Sequence, residues 1–458
     1  MTAPRIIHCI GDSHVAFFSG SNSTWIENGE DRAWECFRAY HLGPVLAYNL
    51  PSTNTTTKGR EKLFYLLDNH ITPGSWVMTV FGEIDCRAHL LKQAEKKQLP
   101  IEDVTAACVQ RYFSVVQEIE SRDYHVIVYN SIPSLPLHGD EQTGQANCYP
   151  VYRSQAERNE AVQAFNFQMC ELCSEHGIKF LNTYDKIVDA TGRPNGDLYC
   201  DEIHLGQKAM PFTFDALKEM FGDWEFDRNA KPNVPLATEN KTSYNKHGNA
   251  ISRMRSKLAN VGEAIHPRSL QAIIRGSSSE ELKAIRRSLR PVPPTTEAQI
   301  RVLSEVCSKY RCKNYVETQC DDGDRLDAFS KTLARCFSIE SRMDAYLSAC
   351  LRFEGVDGAT VVHRKVASGM EGILSELTER TLFFLLDNEH SLPEASAPIE
   401  YLLSQLCHYS SAGHCIVINH AGRFGRSRNL PSLRVLRKLV QPHFSGWEIR
   451  DNLIIITP

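Results

Sequence analysis

Three short stretches of this 458-residue chain hold residue types that do chemistry when they meet. The first is Gly11-Asp12-Ser13-His14, directly after the apolar run 6–10. A serine hydroxyl attacks a carbonyl only once a base takes its proton. The second, residues 199–206, reads "YCDEIHLG" and offers that base in His204, with Asp201 three residues earlier. A carboxylate so placed can fix the imidazole tautomer and stabilise the imidazolium. The third, residues 80–87, reads "VFGEIDCR" and contributes Gly82, Asp85 and Arg87. Each stretch also has a plainer reading. Asp12 or Ser13 suits a helix N-cap, and His204 suits an ordinary cap or surface position.

These residues need elements that carry them to one place. The run at 6–10 is short and rich in isoleucine, as a buried strand is, and Gly11 permits a sharp turn out of it. Up to about residue 220 strand and helix patterns alternate. The strand candidates are 5–10, 44–49, 75–81, 124–131 and 178–183, with amphipathic helices at 103–121 and 153–175. This alternation predicts a parallel sheet covered by helices on both faces, with ligands beyond the carboxyl ends of its strands. Ser13 follows the first strand and Gly82 and Asp85 follow the third, so all lie at that edge.

Residues 226–295 break the pattern. Between 227 and 290 there are thirteen Lys or Arg against five Asp or Glu, around "RGSSSEE" and "RPVPPTT". A solvated, partly helical linker is the expectation, with contact to phosphate or an anionic surface as the alternative. From 296 alternation resumes, with strands near 314–317, 335–340, 359–363, 380–386 and 414–419 and a closing hairpin about Asp451-Asn452. The expected fold class is therefore α/β, with two three-layer α/β/α domains at 1–225 and 296–458 joined by the basic linker 226–295.

Taken together, the three stretches resemble the SGNH (GDSL-like) hydrolases over about residues 5–220, which implies a flavodoxin-like domain. The resemblance makes Ser13 the nucleophile, His204 the base and Asp201 its orienter. It gives the oxyanion hole to the Ser13 amide and to Gly43, in "HLGPVLAYNL". The family's third block is Gly-x-Asn-Asp, its Asn a further oxyanion donor. Here Ile84 holds that position. Arg87 is the candidate replacement, and the alternative for it is an ion pair with Glu83 or Asp85. The family implies a serine esterase or O-acyltransferase. The absence of a long apolar lid stretch favours a small acyl ester, such as acetyl on a glycan, over a long-chain lipid.

The second half resembles the class I S-adenosylmethionine-dependent methyltransferases, with a Rossmann-like fold, over 296–458. In "NYVETQCDDGD", residues 314–324, Glu317 ends the first strand and a turn with Gly323 follows. Glu340 ends the second strand, where the family holds the cofactor ribose, and Asp387 follows the fourth; His420 ends the fifth. The family's Glu-x-Gly-x-Gly-x-Gly turn keeps only Gly323, because Gln319 and Asp321 replace two glycines. The resemblance thus implies the fold and S-adenosylmethionine as cofactor, with Glu317, Gly323, Glu340 and Asp387 binding it. Two worn enzyme folds serving as a binding scaffold remain the alternative, on the strength of Ile84, Gln319 and Asp321.

Other features exclude more than they assign. A net charge of −4 speaks against nucleic acid as partner, and no stretch approaches the roughly 18 apolar residues of a membrane span. Fifteen scattered cysteines without a signal peptide predict free thiols, a cytoplasmic setting and idle sequons at Asn22, Asn54 and Asn240. Cys170 and Cys173 lack a second pair for zinc, and no metal is expected. Asp387, Glu389 and His390 read as a solvated loop, and "RFGRSR" at 423–428 as a loop or an anion contact. The implied partner is a carbohydrate or other small polar ester.

Overall fold

The computed structural model describes residues 6–20, 34–136, 145–146, 149–189, 192–222, 295–386, 399–425 and 430–458. The expected linker lies outside them. Two compact units are present, each built on its own sheet.

The first sheet has five parallel strands: β1 Ile7–Gly11, β2 Phe37–His41, β3 Trp76–Val80, β4 His125–Tyr129 and β5 Lys179–Leu181. Their order is β2-β1-β3-β4-β5, the flavodoxin-like order, whose switch point lies between β1 and β3. The strands register in step, Gly11 opposite both His41 and Val80. Their carboxyl ends therefore finish level. The two long helices are set by different signals, a side-chain cap in one and an apolar face in the other. Ser154 and Glu157 make a reciprocal capping box at the start of Gln155–Glu175. That helix and Ile101–Ser121 lay Phe165 and Tyr112 against each other, with Phe81 on the Tyr112 edge. On the opposite face Phe18, Phe37, Tyr129 and Phe214 form an edge-to-face and stacked cluster with Trp34.

One strand differs from expectation. The second strand is Phe37–His41, and 44–49 instead holds a turn and the short 3-10 helix Ala47–Asn49. Gly43 at φ +95° followed by Pro44 stops any strand there. The true strand was hidden by Arg38, which is buried and donates to the carbonyls of Glu35 and Phe37.

The second sheet holds seven strands: β6 Asn314–Glu317, β7 Arg335–Glu340, β8 Ala359–His363, β9 Thr381–Leu385, β10 Cys415–Ile418, β11 Gly446–Arg450 and β12 Leu453–Thr457. They order as β8-β7-β6-β9-β10-β12-β11, with β12 antiparallel to both its neighbours. This is a Rossmann-like parallel sheet closed by the hairpin expected at Asp451-Asn452, both of which take positive φ. Among the described residues no helix is long and apolar enough to cross a membrane.

Candidate active site

β1 can end beside β3 only because residue 11 has no side chain. A Cβ there would lie 2.2 Å from the Val80 carbonyl oxygen. Asp12, fully buried, then accepts the His14 amide at 2.9 Å and caps the 3-10 turn Ser13–Ser19. The cap reading of this stretch holds for Asp12, and Ser13 is left half-exposed at the sheet's carboxyl edge.

The loop from the far end of the unit reaches Ser13. His204 Nε2 lies 2.8 Å from Ser13 Oγ, and His204 Nδ1 lies 2.8 Å from Asp201 Oδ2. The other Asp201 oxygen accepts the Ile203 and His204 amides at 2.8 and 2.7 Å. One carboxylate thus shapes its own loop and holds the ring three residues later. With Asp201 ionised, Nδ1 carries the proton and Nε2 turns its lone pair to the serine hydroxyl. Burial pulls the His204 pKa below the ordinary histidine value, opposed by the Asp201 hydrogen bond. Burial alone would raise Asp201, but the imidazole and the loop amides outweigh it and leave it below the usual carboxylate range.

Gly43 sits just past β2 at the same edge, its turn tied to β1 by the Leu42 amide donating to the Gly11 carbonyl at 2.9 Å. Asp85 holds the following turn by accepting the Ala47 and Tyr48 amides at 2.7 and 3.2 Å. Gly82, at φ +111°, has the Phe165 ring where a Cβ would go, 2.5 Å away. Ile84 is half-buried and offers no donor. Arg87 follows the ion-pair reading. Its Nε meets Glu83 Oε1 at 2.7 Å, and Nη1 donates to the Pro150 carbonyl. Residues 85–89 form a π-helical turn, a wide turn that recurs at functional sites.

Sequence reasoning missed His14. Its Nε2 meets Glu83 Oε2 at 2.8 Å, and its ring packs on His204 with centroids 4.6 Å apart. The available signal was a titratable residue inside the otherwise apolar "SHVAFFS" turn. Burial would raise Glu83, but Arg87 and His14 outweigh it and keep the carboxylate charged. Asp12 and Asp85, pushed up by burial, both reach about 7.

In the second unit Glu317 and Glu340, two of the expected cofactor residues, have partners within the protein. Glu317 is buried at the end of β6, where its Oε2 accepts the Tyr315 hydroxyl at 2.8 Å and Arg325 Nε at 3.0 Å. Its other oxygen has no partner, and burial raises its pKa to about 7. Arg325 reaches back to the Gln319 carbonyl and Asp321 Oδ2, so the turn is fastened from beneath. Glu340 accepts the Cys320 amide. Asp321 takes φ +52° where the family has glycine, and Gly323 takes φ +86°. Asp387, Glu389 and His390 lie outside the described residues, as does part of 423–428. Glu340 thus engages the turn with one carboxylate oxygen, and the Asp321 side chain is held by Arg325 rather than left free. His420, at φ +57°, lies just past the fifth strand, at the start of the turn Ala421–Arg423.

No protein-family model matches the sequence, and no curated protein matches it. Solved structures similar to parts of it fall into two groups. A GDSL-like lipase from Bacteroides thetaiotaomicron is 13% identical, with 48% of this chain and 88% of that chain covered and a TM-score of 0.29. A Desulfitobacterium hafniense protein assigned to the G-D-S-L lipolytic family is 18% identical, with 47% and 98% covered and a TM-score of 0.29. A Streptococcus mutans protein described as a methyltransferase and solved with SAH is 14% identical, with 37% and 97% covered and a TM-score of 0.28. The chain itself combines a five-stranded flavodoxin-like parallel sheet with a seven-stranded Rossmann-like sheet.

Proposed function

We propose that this protein is an SGNH-type serine esterase or O-acyltransferase acting on a small acyl ester, an acetyl group on a glycan. The observation that carries this reading is the unbroken hydrogen-bond chain from Asp201 through His204 to a half-exposed Ser13 hydroxyl. In the reaction Ser13 Oγ attacks the ester carbonyl as its proton passes to His204 Nε2. The Ser13 and Gly43 amides receive the developing oxyanion. His204 then gives the proton to the leaving alcohol, and water or an acceptor hydroxyl releases the acyl group. Losing one oxyanion donor costs on the order of 10²–10³ in rate, so Ile84 implies a slow enzyme or a substrate that supplies its own charge stabilisation.

The partition into units 1–225 and 296–458 around a basic linker belongs to this reading. All fourteen described cysteines are unpaired, which supports a reducing, cytoplasmic setting. For the second unit the reading is a methyltransferase-like fold whose carboxylates hold its own turn. The rival reading, methylation of a sugar with S-adenosylmethionine, is tested by calorimetry. No heat at millimolar cofactor is expected, and micromolar binding would restore methyl transfer.

A fluorophosphonate tests the first unit. An adduct on the intact wild type, missing from Ser13→Ala and His204→Ala, is expected. Failure to label, together with no hydrolysis of acetylated sugars, would favour the scaffold reading.

A further inference from the structure

His14 adjoins the nucleophile in sequence yet plays no part in the mechanism above. It is buried, with one ring nitrogen on Glu83 and one ring face on His204. Glu83 in turn is fixed by Arg87 through an i,i+4 ion pair on the π-helical turn, and both are buried. The result is a row of four side chains, Arg87, Glu83, His14 and His204, the last of which meets the Ser13 hydroxyl. A water-exposed row would be screened by salt, but this one is buried and screened much less.

We propose that His14, seated between Glu83 and the His204 ring, is a positioning residue that, with Glu83 and Arg87, sets when His204 can take the Ser13 proton. This rests on Ser13 being the nucleophile. The row acts on His204 in opposite senses: His14 disfavours and Glu83 favours positive charge on it. The other groups facing His204 are Asp201 and Ser13 directly, buried Asp12 behind them, and His41 at the end of β2. Tyr199 lies near Glu83, its hydroxyl donating to the Pro133 carbonyl at 2.5 Å. None of these joins His14 to His204.

The test is the rate of fluorophosphonate labelling against pH, read by intact mass on the full chain. In that reaction the Ser13 Oγ–P bond forms, fluoride leaves, and the Oγ proton passes to His204 Nε2. His14→Phe keeps an aromatic ring against His204 but removes the polar nitrogens. Its alkaline plateau should stay within a few-fold of wild type, while its rate near pH 6 falls about threefold or more relative to that plateau. Glu83→Gln should move the acid limb the other way. A purely structural role would shift neither limb, or both in one direction, and either result overturns the proposal. If Glu83→Gln fails to fold by circular dichroism, His14→Phe decides alone. A wild type that never labels removes the Ser13 reading itself, a distinguishable failure that takes this inference with it.

Discussion

Both units place carboxylates at the carboxyl edge of a parallel sheet, yet they use them in opposite directions. In the first, Asp201 holds His204 outward and the chain of hydrogen bonds ends on a half-exposed hydroxyl. In the second, Glu317 and Glu340 turn inward, onto Arg325 and onto the Cys320 amide of their own turn. A carboxylate that orients a base leaves chemistry available, whereas one that satisfies its own loop gives stability to that loop. Fold alone therefore does not tell which edge is a site.

The comparison breaks most visibly at Ser13. Ser13→Ala and His204→Ala should each lower esterolysis by roughly 10⁴-fold or more, with Asp201→Asn about 10³-fold or more, measured with an activated acetyl ester. If either of the first two kept wild-type rates, the outward chain would be ornamental. In the second unit the corresponding lesion is one of stability. Arg325→Met strands Glu317 in the interior and should cost about 3–5 kcal/mol in urea unfolding, without changing esterolysis. An unchanged unfolding midpoint would show that the inward network is not what fixes that turn. Gly82→Ala sharpens the contrast within the first unit. The new methyl would need a strained φ and would meet Phe165, so a loss of about 2–3 kcal/mol is expected. The smallest effect is in pH. On the proposed mechanism His204 acts as the neutral base and its pKa is lowered, first by burial, so the labelling rate should rise with pH along a limb lying below the ordinary histidine range. A limb at that range would mean that His204 is solvated, and one above it that Asp201 and Glu83 outweigh burial.

How much of this could be read from the residues depended on how local each signal was. The run 6–10 announced a strand because its β-branched residues need little context. Ser13, Asp201 and His204 were legible because a nucleophile, a base and a carboxylate have few other reasons to share a sheet edge. β2 was missed because Arg38 and His41 interrupt its apolar pattern, and only the folded chain gives Arg38 carbonyls to bond. For Arg87 the sequence left open an oxyanion donor or an ion pair with Glu83 or Asp85, because the Pro150 carbonyl that also holds it lies 63 residues away. The inward turn of Glu340 was equally invisible, because it bonds a backbone amide twenty residues away. His14 depends on a contact across 69 residues.

The π-helical turn at 85–89 has a bearing on how this site tolerates length change. Such a turn carries one residue more than a regular helical turn, so deleting a single residue there would let the segment relax into ordinary helix. Residues after the deletion would keep their register with the helix Leu90–Lys97 while those before it swung by about 100°, the angular step of an α-helix. Glu83 and Arg87 would stay at neighbouring helical spacing and keep their ion pair, but the pair could no longer meet both His14 and the Pro150 carbonyl. A one-residue deletion would thus be nearly silent to the fold and would unfasten the row behind His204, which makes this turn the place where related chains of different length would diverge in activity before they diverged in architecture.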